Sequence, residues 1–386
     1  MKAFEQLLPT QIIFGAGEIN RLATLELPGK KALLVISSGN SMRKYGYVDK
    51  VVKGLAENGA ETVIYDKIQA NPIKEHVMEA AAICRQEKCD FVIGLGGGSS
   101  IDSAKSIALM ACNEGDYWDY VSGGTGKGLT PKNKALPIIA IPTTAGTGTE
   151  VDPWTVITYN NEKIGYGLPD TMPKIAIVDP ALMLSVPPKL TAYQGFDAFF
   201  HAAEGYLATI ATPISDVFAL KSIELIGRSL AKAVKNGDDL EARSEVALAS
   251  TLSGLVESTS SCISEHSIAH AISALFPNIE HGAALTCISL AWFASFIDVV
   301  PERYMRMAEA MTGRKSTSPH DFFTALADLQ VACGVDQIAL SLYGVRETDL
   351  SNLVQNARET MGGLFTMDPR PLRDEEVLEI LKRSYK

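Results

Sequence analysis

The stretch CDFVIGLGGGSSIDSAK (Cys89–Lys105) combines an apolar strand, a glycine-rich turn and the start of a helix. Its first half is continuous and apolar, which is typical of strands covered on both faces of a parallel sheet. Gly96, Gly97 and Gly98 allow the backbone to turn tightly, and Ser99 is expected to cap the helix that follows. The N-terminus of such a helix offers N–H groups and partial positive charge to a phosphate.

Similar apolar runs occur on both sides of this stretch and alternate with segments of helical period. A β-α alternation of this kind predicts a doubly wound parallel sheet. Residues 156–166, with Asn160 and Asn161 in the middle, predict a small hairpin attached to that sheet. The other expected strands are KKALLVIS (Lys30–Ser37), ETVIYD (Glu61–Asp66), ALPIIAIP (Ala135–Pro142) and KIAIVDP (Lys174–Pro180).

After Pro187 and Pro188 the strand patterns end and long helical patterns follow to the end of the chain. The proline pair is expected to mark the joint, because Pro187 lacks an N–H and Pro188 restrains the residue before it. We therefore expect a Rossmann-like parallel α/β domain over residues 1–186, followed by an all-helical domain over residues 187–386.

Composition excludes several classes of protein. The 386 residues include 35 Lys+Arg and 45 Asp+Glu, a net charge of −10, which disfavours a basic nucleic-acid binder. An apolar fraction of 46% excludes extended disorder, and 6 sparse cysteines make a disulfide framework improbable. With no apolar segment of membrane-spanning length, we expect a cytoplasmic protein without a membrane or nucleic-acid partner.

A second loop rich in glycine and hydroxyl groups, PTTAGTGTE (Pro142–Glu150), also follows an apolar strand. Taken alone, the first loop could be a simple strand–helix connection, because Ser99 replaces the third glycine of G-x-G-x-x-G and Lys105 lies too far along for a Walker A motif. Two such loops at the carboxyl ends of strands in one parallel sheet favour a dinucleotide over a lone phosphate.

The helical half carries imidazoles and a carboxylate among apolar neighbours. Asp197 and His201 are four residues apart, His266 and His270 repeat that spacing, and His281 follows in an expected loop. Each pair alone is usually a surface pair or a satisfied core histidine, but together the inward-facing groups need partners. Such a set suits Fe²⁺, Zn²⁺, Mn²⁺ or Co²⁺, with one histidine left for proton transfer or support.

Four ordered motifs, GGGSSIDSAK, PTTAGTGTEV, GFDAFFHAAEGY and HSIAHAISALFPNIEHG, resemble those of the iron-containing (group III) alcohol dehydrogenases. The resemblance implies an N-terminal nucleotide-binding domain, a C-terminal metal-binding domain and an active site in the cleft between them. It also implies a metal site that takes Fe²⁺ first, with Zn²⁺ or Mn²⁺ as alternatives. The residues it assigns to the metal are Asp197, His201, His266 and His281, and it places His270 in proton relay or substrate orientation.

The same resemblance implies which residues meet a nicotinamide cofactor. Gly39 is notable, because NAD-linked members commonly have an Asp there that bonds the ribose and repels a 2′-phosphate. Its absence, with Arg43 and Lys44 nearby, favours NADP(H) over NAD(H), although these cations could instead be solvated. The residues assigned to the cofactor are Gly39, Ser41, Asn71, Gly97, Gly98, Ser99, Asp102, Thr143, Thr144, Thr147 and Lys163.

The resemblance therefore implies reversible reduction of a small aldehyde to a primary alcohol in a homodimer or larger homo-oligomer. Reduction of an anionic aldehyde, such as sulfo- or phosphonoacetaldehyde, is an alternative within the same family. A lyase or cyclase of the dehydroquinate synthase type is a second alternative, and it would consume no net NAD(P)H. A metallohydrolase leaves the threonine-rich loop unexplained, and a metal-storage protein has no use for a cofactor loop.

Overall fold

The computed structural model describes residues 3–386, which form two compact units. The first, the α/β unit, contains residues 8–144 and 149–185. The second, the helical unit, contains residues 186–386, residues 3–7 and the short loop 145–148. The predicted architecture, a parallel α/β part followed by a helical part, is confirmed.

A six-stranded parallel sheet organises the α/β unit, with strand order β1-β8-β5-β4-β2-β3. The central strands β4, β5 and β8 are buried along their whole length, as their continuous apolar sequences require. The strands are β1 (Gln11–Phe14), β2 (Lys31–Ser37), β3 (Glu61–Ile68), β4 (Phe91–Gly96), β5 (Ile138–Pro142), and β8 (Ile175–Val178), beside an antiparallel hairpin of β6 (Trp154–Tyr159) and β7 (Glu162–Gly167).

Helices flank this sheet, and one of its faces carries the apolar core of the unit. The strands contribute the fully buried side chains of Leu34, Ile93, Ile139 and Ile177 to this core. Leu22, which precedes β2, and Val51 and Leu55 of α2 pack against them. The helices of the unit are α1 (Ser41–Lys44), α2 (Tyr47–Glu57), α3 (Lys74–Gln86), α4 (Gly98–Cys112) and α5 (Tyr117–Tyr120).

The helical unit begins at the proline pair, with Pro187 as the N-cap and Pro188 as the first residue of α6. Helix α6 is buried on nearly all sides, so its few polar residues need specific partners. The helices are α6 (Pro188–Leu207), α7 (Pro213–Lys235), α8 (Leu240–Thr259), α9 (Ser264–Leu275), α10 (His281–Phe293), α11 (Pro301–Thr312), α12 (Asp321–Ala332), α13 (Leu350–Met361) and α14 (Asp374–Arg383).

Three details differ from the sequence prediction. Strand β1 was not expected, because four residues are too few to show a period; it pairs with β8 at the sheet edge. Ser99 does not cap α4, because that helix starts two residues earlier than such a cap would require, with Gly97 as its N-cap. His281 lies not in a loop but at the first position of α10.

Across residues 3–386, no helix is both long and apolar enough to span a bilayer.

Candidate functional site

The glycine-rich turn joins the end of β4 to the start of α4. Gly96 has a φ of 145°, a conformation that side chains rarely adopt, so glycine is required there. The first intrahelical bonds are donated by the N–H groups of Ser100 and Ile101 to the carbonyl of Gly97. The N–H groups of Gly98 and Ser99 therefore stand at the open end of the helix, a type of position that is suited to an anion.

The threonine-rich loop leaves the neighbouring strand β5 beside this turn. The N–H of Thr143 donates to the carbonyl of Gly96 at 2.9 Å, which fixes the two strand ends together. A Cβ on Gly97 would lie 3.1 Å from Oγ1 of Thr144, so the turn and the loop touch. Thr147 is half-buried in the segment that clusters with the helical unit.

Asp102 has partners within the protein on both of its carboxylate oxygens. Oδ1 accepts a hydrogen bond from Thr149 Oγ1 at 2.6 Å, and Oδ2 accepts one from the N–H of Val156 at 2.9 Å. Burial raises the pKa of Asp102, although the Lys105 ammonium opposes this effect. A carboxylate held in this way supports the start of α4 through its protein contacts.

Asn71 and Lys163 meet although they are distant in the sequence. Lys163 Nζ donates to Asn71 Oδ1 at 2.9 Å. Asn71 has a φ of 52°, a left-handed conformation that asparagine tolerates better than most residues. The hydrogen bond between Thr158 N and the carbonyl of Pro72, at 2.7 Å, ties this corner to the hairpin.

Gly39 and Ser41 lie exposed after β2, with Ser41 as the first residue of α1. A Cβ on Gly39 would meet nothing closer than Ser37 Oγ at 3.9 Å, so the position has room for a larger group. Arg43 is not merely solvated, because its Nη2 lies 2.7 Å from Oδ2 of Asp66 in an exposed ion pair.

The candidate metal centre lies in the helical unit, where α6, α9 and α10 meet. Three imidazole nitrogens approach one oxygen, Oδ1 of Asp197: His201 Nδ1 at 3.6 Å, His266 Nε2 at 3.6 Å and His281 Nε2 at 3.8 Å. These separations exceed hydrogen-bond range. They match a ligand set, because tetrahedral ligands about 2.1 Å from an ion lie about 3.4 Å from each other.

The chemistry of these atoms fits a divalent first-row metal ion. Asp197, His201 and His266 each offer a ligand atom within 4.8 Å of the others, and all three residues are buried. Among residues 3–386, the buried atoms without a hydrogen bond include His201 Nδ1 and His266 Nε2, two of the three nitrogens that approach Asp197. Buried imidazole nitrogens in that condition need an acceptor of their lone pairs, which a cation provides.

Glu204, which the sequence analysis overlooked, holds His266 in place. Its carboxylate has no exposed surface; Oε1 bonds His266 Nδ1, and Oε2 accepts from the N–H groups of Ile263 at 2.7 Å and His266 at 3.3 Å. A carboxylate that orients a ligating imidazole is usual around metals. The available signal was its spacing on α6, one turn beyond His201 and two turns beyond Asp197.

The pKa values of His201 and His266 shift in opposite directions. Burial lowers the pKa of His201, and the neighbouring His266 adds to that effect. Burial also opposes the charged form of His266, but Glu204 and Asp197 outweigh it and raise the pKa of His266 well above its usual value. The raised pKa of His266 reflects that Glu204 and Asp197 favour a positive charge in this pocket. A metal ion can supply that charge in place of a proton.

Glycines allow the ligand-bearing elements to approach each other closely. A Cβ on Gly282 would lie 2.1 Å from the carbonyl oxygen of Tyr193, so only glycine lets the start of α10 rest on α6. A Cβ on Gly146 would lie 3.1 Å from Oδ2 of Asp197, which places the threonine-rich loop against the ligand helix. This packing brings His281 next to Asp197.

His270 lies beside the candidate metal centre. Its ring centroid is 5.1 Å from that of His281 and 6.4 Å from that of His266, and the side chain is largely buried. It stands one turn after His266 on α9, and it is not part of the group Asp197, His201 and His266. This position suits a proton carrier next to a metal.

Comparisons with known proteins give the chain's relationships. The family model described as iron-containing alcohol dehydrogenase matches residues 9–180, and the model of the C-terminal part of the Fe-containing alcohol dehydrogenase family matches residues 191–385. The chain is 34% identical to a 1,3-propanediol dehydrogenase of Klebsiella pneumoniae, covering 100% of this chain and 99% of that one.

Two further relatives are similar over nearly their whole length. An NADPH-dependent butanol dehydrogenase of Clostridium saccharobutylicum is 35% identical, with 98% of this chain and 97% of that one covered. The crystal structure of an archaeal halo-thermophilic Red Sea brine pool alcohol dehydrogenase has a TM-score of 0.94 at 34% identity, with 100% of this chain and 99% of that one covered.

Proposed function

The chain belongs to the iron-containing alcohol dehydrogenase family and is a metal-dependent alcohol and aldehyde oxidoreductase, and we propose which of its residues carry that reaction. The observation that carries the proposal is the approach of three imidazole nitrogens to Oδ1 of Asp197, at 3.6 to 3.8 Å. The functional division we propose is a nucleotide-binding domain over residues 1–186 and a metal-binding domain over residues 187–386.

We propose that Asp197, His201, His266 and His281 hold a divalent ion, Fe²⁺ first and Zn²⁺ or Mn²⁺ as alternatives. One carboxylate and three imidazoles form a borderline ligand set without thiolate, which suits these ions. A bound ion supplies Lewis acidity toward a carbonyl or alkoxide oxygen. Asp197 contributes the negative charge of the site, and Glu204 keeps the Nε2 lone pair of His266 directed toward Asp197.

The overall reaction is RCHO + NAD(P)H + H⁺ ⇌ RCH₂OH + NAD(P)⁺, in which the nicotinamide supplies the hydride. His270 is the residue we assign to the proton, which its imidazole passes to the former carbonyl oxygen to form the product hydroxyl, or takes from that hydroxyl in the reverse direction. The short distance between the rings of His270 and His281, 5.1 Å between centroids, supports this role.

The cofactor residues that we propose lie at the open end of α4, in the threonine-rich loop and at the corner formed by Asn71 and Lys163. The open end of α4, with Gly97, Gly98 and Ser99, would hold the pyrophosphate through backbone N–H groups. Thr143, Thr144 and Thr147 are proposed for the nicotinamide side, and Asn71 and Lys163 for positions near the cofactor. Asp102, which the resemblance groups with the pyrophosphate residues, is proposed to act by supporting α4, because both of its oxygens are bonded within the protein.

NADP(H) is the cofactor that we favour. Gly39 has space beside it and no carboxylate that would repel a 2′-phosphate, and Ser41 offers a hydroxyl nearby. One similar protein is an NADPH-dependent butanol dehydrogenase. Arg43 supports NADP(H) only if a 2′-phosphate competes with Asp66 for its guanidinium, since the two side chains form an ion pair. A cytoplasmic homodimer or larger homo-oligomer remains our expectation.

The experiment is a panel of short, diol-derived and anionic aldehydes assayed with NADH and NADPH on iron-loaded and zinc-loaded protein. We expect aldehyde-dependent loss of the nicotinamide absorbance, faster with NADPH, and loss of turnover after chelation. Substrate conversion without net consumption of NAD(P)H would instead indicate a lyase of the dehydroquinate synthase type and overturn the proposed reaction.

A further inference from the structure

Lys105 is a fully buried lysine in the α/β unit that the proposed reaction does not use. Its side chain has no exposed surface. Nζ donates to Thr149 Oγ1 at 2.6 Å, to Asp152 Oδ1 at 2.9 Å and to the carbonyl oxygen of Trp154 at 2.7 Å. An ammonium group has three N–H donors, so these bonds use all of them.

The bonds continue from Lys105 to the start of α4. Because the hydroxyl of Thr149 accepts from Lys105, its own proton is directed to Oδ1 of Asp102, 2.6 Å away. The other oxygen of Asp102 accepts from the N–H of Val156 at 2.9 Å. A single ammonium thus fixes the first turns of α4 against residues 149–156, which comprise the end of the threonine-rich loop and the residues that follow it.

The turn before α4 also meets the start of the threonine-rich loop. The N–H of Thr143 bonds the carbonyl of Gly96, and Gly97 lies against Thr144. The strand ends and the start of α4 are therefore held at two places, by the backbone at Gly96 and by the network of Asp102 and Lys105, one to two turns into α4. The open end of α4 lies between these two attachments.

Buried charges of opposite sign hold the Lys105 network together. Asp102 and Asp152 are both buried, and Lys105 is the ammonium that faces them. Burial raises the pKa of Asp152 to about 7, and the attraction of Lys105 opposes that rise. Removing one member of such a group leaves a buried charge without compensation, so neighbouring segments must move to readmit water.

We propose that Lys105 is a positioning residue for the nicotinamide nucleotide: it sets the orientation of the open end of α4 relative to the threonine-rich loop. The inference rests on the cofactor site under the proposed function. Lys105 does not contact a phosphate itself, because it is buried and its three donors are used within the protein.

Four variants separate positioning from stability. Lys105→Met removes the ammonium. Thr149→Val removes the hydroxyl that accepts from Lys105 and donates to Asp102, while leaving the ion pair of Lys105 and Asp152. The double variant Lys105→Met, Asp152→Asn removes both charges of the ion pair, so that Asp152 is not left as an uncompensated charge. The hydrogen bonds from Lys105 to Thr149 and Trp154 are still missing in it. Leu55→Ala is the matched control, because it leaves a cavity in the core of the same unit, remote from the network.

The measurement is fluorescence titration of each variant with NADPH and NADH, with circular dichroism, melting temperature, kcat and KM alongside. We expect Lys105→Met, the double variant and Thr149→Val each to raise the nucleotide Kd by about tenfold or more. The kcat at saturating nucleotide should stay within about threefold of the wild-type value, because the reacting groups are intact. Leu55→Ala should lower the melting temperature and leave the Kd unchanged.

Wild-type Kd values in the folded variants would overturn the inference, and Thr149→Val decides the question if Lys105→Met does not fold. Gly97→Val, which blocks the turn itself, distinguishes this failure from failure of the proposed cofactor site. If Gly97→Val weakens binding and the network variants do not, only the role of Lys105 is wrong. If Gly97→Val also leaves the Kd unchanged, the cofactor site and the inference are both wrong.

Discussion

The carboxylate of Glu204 determines which nitrogen of His266 faces Asp197. A carboxylate only accepts, so Nδ1 of His266 must carry the proton that bonds Glu204, which leaves the Nε2 lone pair for an ion. Glutamine cannot replace it well, because Oε2 accepts from two backbone N–H groups and an amide NH₂ there would face donors.

For Glu204→Gln we expect metal affinity to fall about 10- to 100-fold, measured by competition with a chelator. Asp179→Asn is the matched control, because Asp179 is an equally buried carboxylate that accepts from the N–H groups of Gly17 and Ile19 in the α/β unit. It should lower stability without changing metal affinity. Equal metal affinity in wild type and Glu204→Gln would remove Glu204 from the site.

Gly39 is the residue on which the proposed preference for NADP(H) depends. An aspartate fits there without strain, since the nearest atom to a Cβ is Ser37 Oγ at 3.9 Å. Gly39→Asp should lower the ratio of kcat/KM for NADPH to that for NADH by about tenfold or more, through repulsion of the 2′-phosphate. Gly39→Asn, with the same shape and no charge, should keep the ratio; a drop in both variants would mean that size, not charge, matters.

The helical spacing of Asp197 with His201, and of His266 with His270, among apolar residues predicted a cluster of inward-facing imidazoles and a carboxylate, but the groups that support this cluster could not be predicted. Glu204 continues the series of Asp197 and His201 on α6, yet a glutamate on a helix is so common that spacing alone does not single it out. The pairing of Lys105 with Asp152 spans 47 positions, and nothing in either local sequence indicates it.

Helix α8 and the threonine-rich loop are in contact through two glycines. A Cβ on Gly254 would lie 2.0 Å from the carbonyl oxygen of Gly148, and Gly148 itself has a φ of 65°. Because the obstacle is backbone, Gly254→Ala must displace the loop, and we expect the free energy of unfolding to fall by about 1–3 kcal/mol or more.

Urea unfolding tests that expectation, with Gly362→Ala as the control. No atom lies within 4 Å of a Cβ at Gly362, and its φ of −58° suits alanine. The control should change the free energy of unfolding by no more than about 0.5 kcal/mol. If Gly254→Ala were equally mild, the close packing of α8 on the loop would not hold in solution.

The order of strands and helices could largely be predicted from the sequence, whereas the residues at which they begin and end could not. Continuous apolar runs identified β2, β4, β5 and β8, because strands buried on both faces are almost entirely apolar. The edge strand β3 was also predicted, although most of its residues are exposed or half-buried. The starts of α4 and α10 were misplaced by a residue or more, since Gly97 and Glu280 occupy N-cap positions without a side-chain cap that sequence could reveal.

Metal binding should stabilise the helical unit selectively, because all proposed ligands lie on α6, α9 and α10. An ion present at 100 times its Kd adds about 2.7 kcal/mol to the stability of the species that binds it. Calorimetry with and without a chelator should therefore shift the transition of the helical unit, and the shift should be absent in His201→Ala. An equal shift in that variant would indicate binding elsewhere.

The division into two units makes one variant decisive for the whole account. His201 belongs to the helical unit, whereas the glycine-rich turn belongs to the α/β unit. Metal content, aldehyde reduction and NADPH binding should therefore be measured together on purified His201→Ala. We predict that the variant retains little metal and no measurable turnover while binding NADPH with nearly wild-type affinity. Full activity that survives treatment with a chelator would contradict the assignment of the metal centre and with it the proposed mechanism.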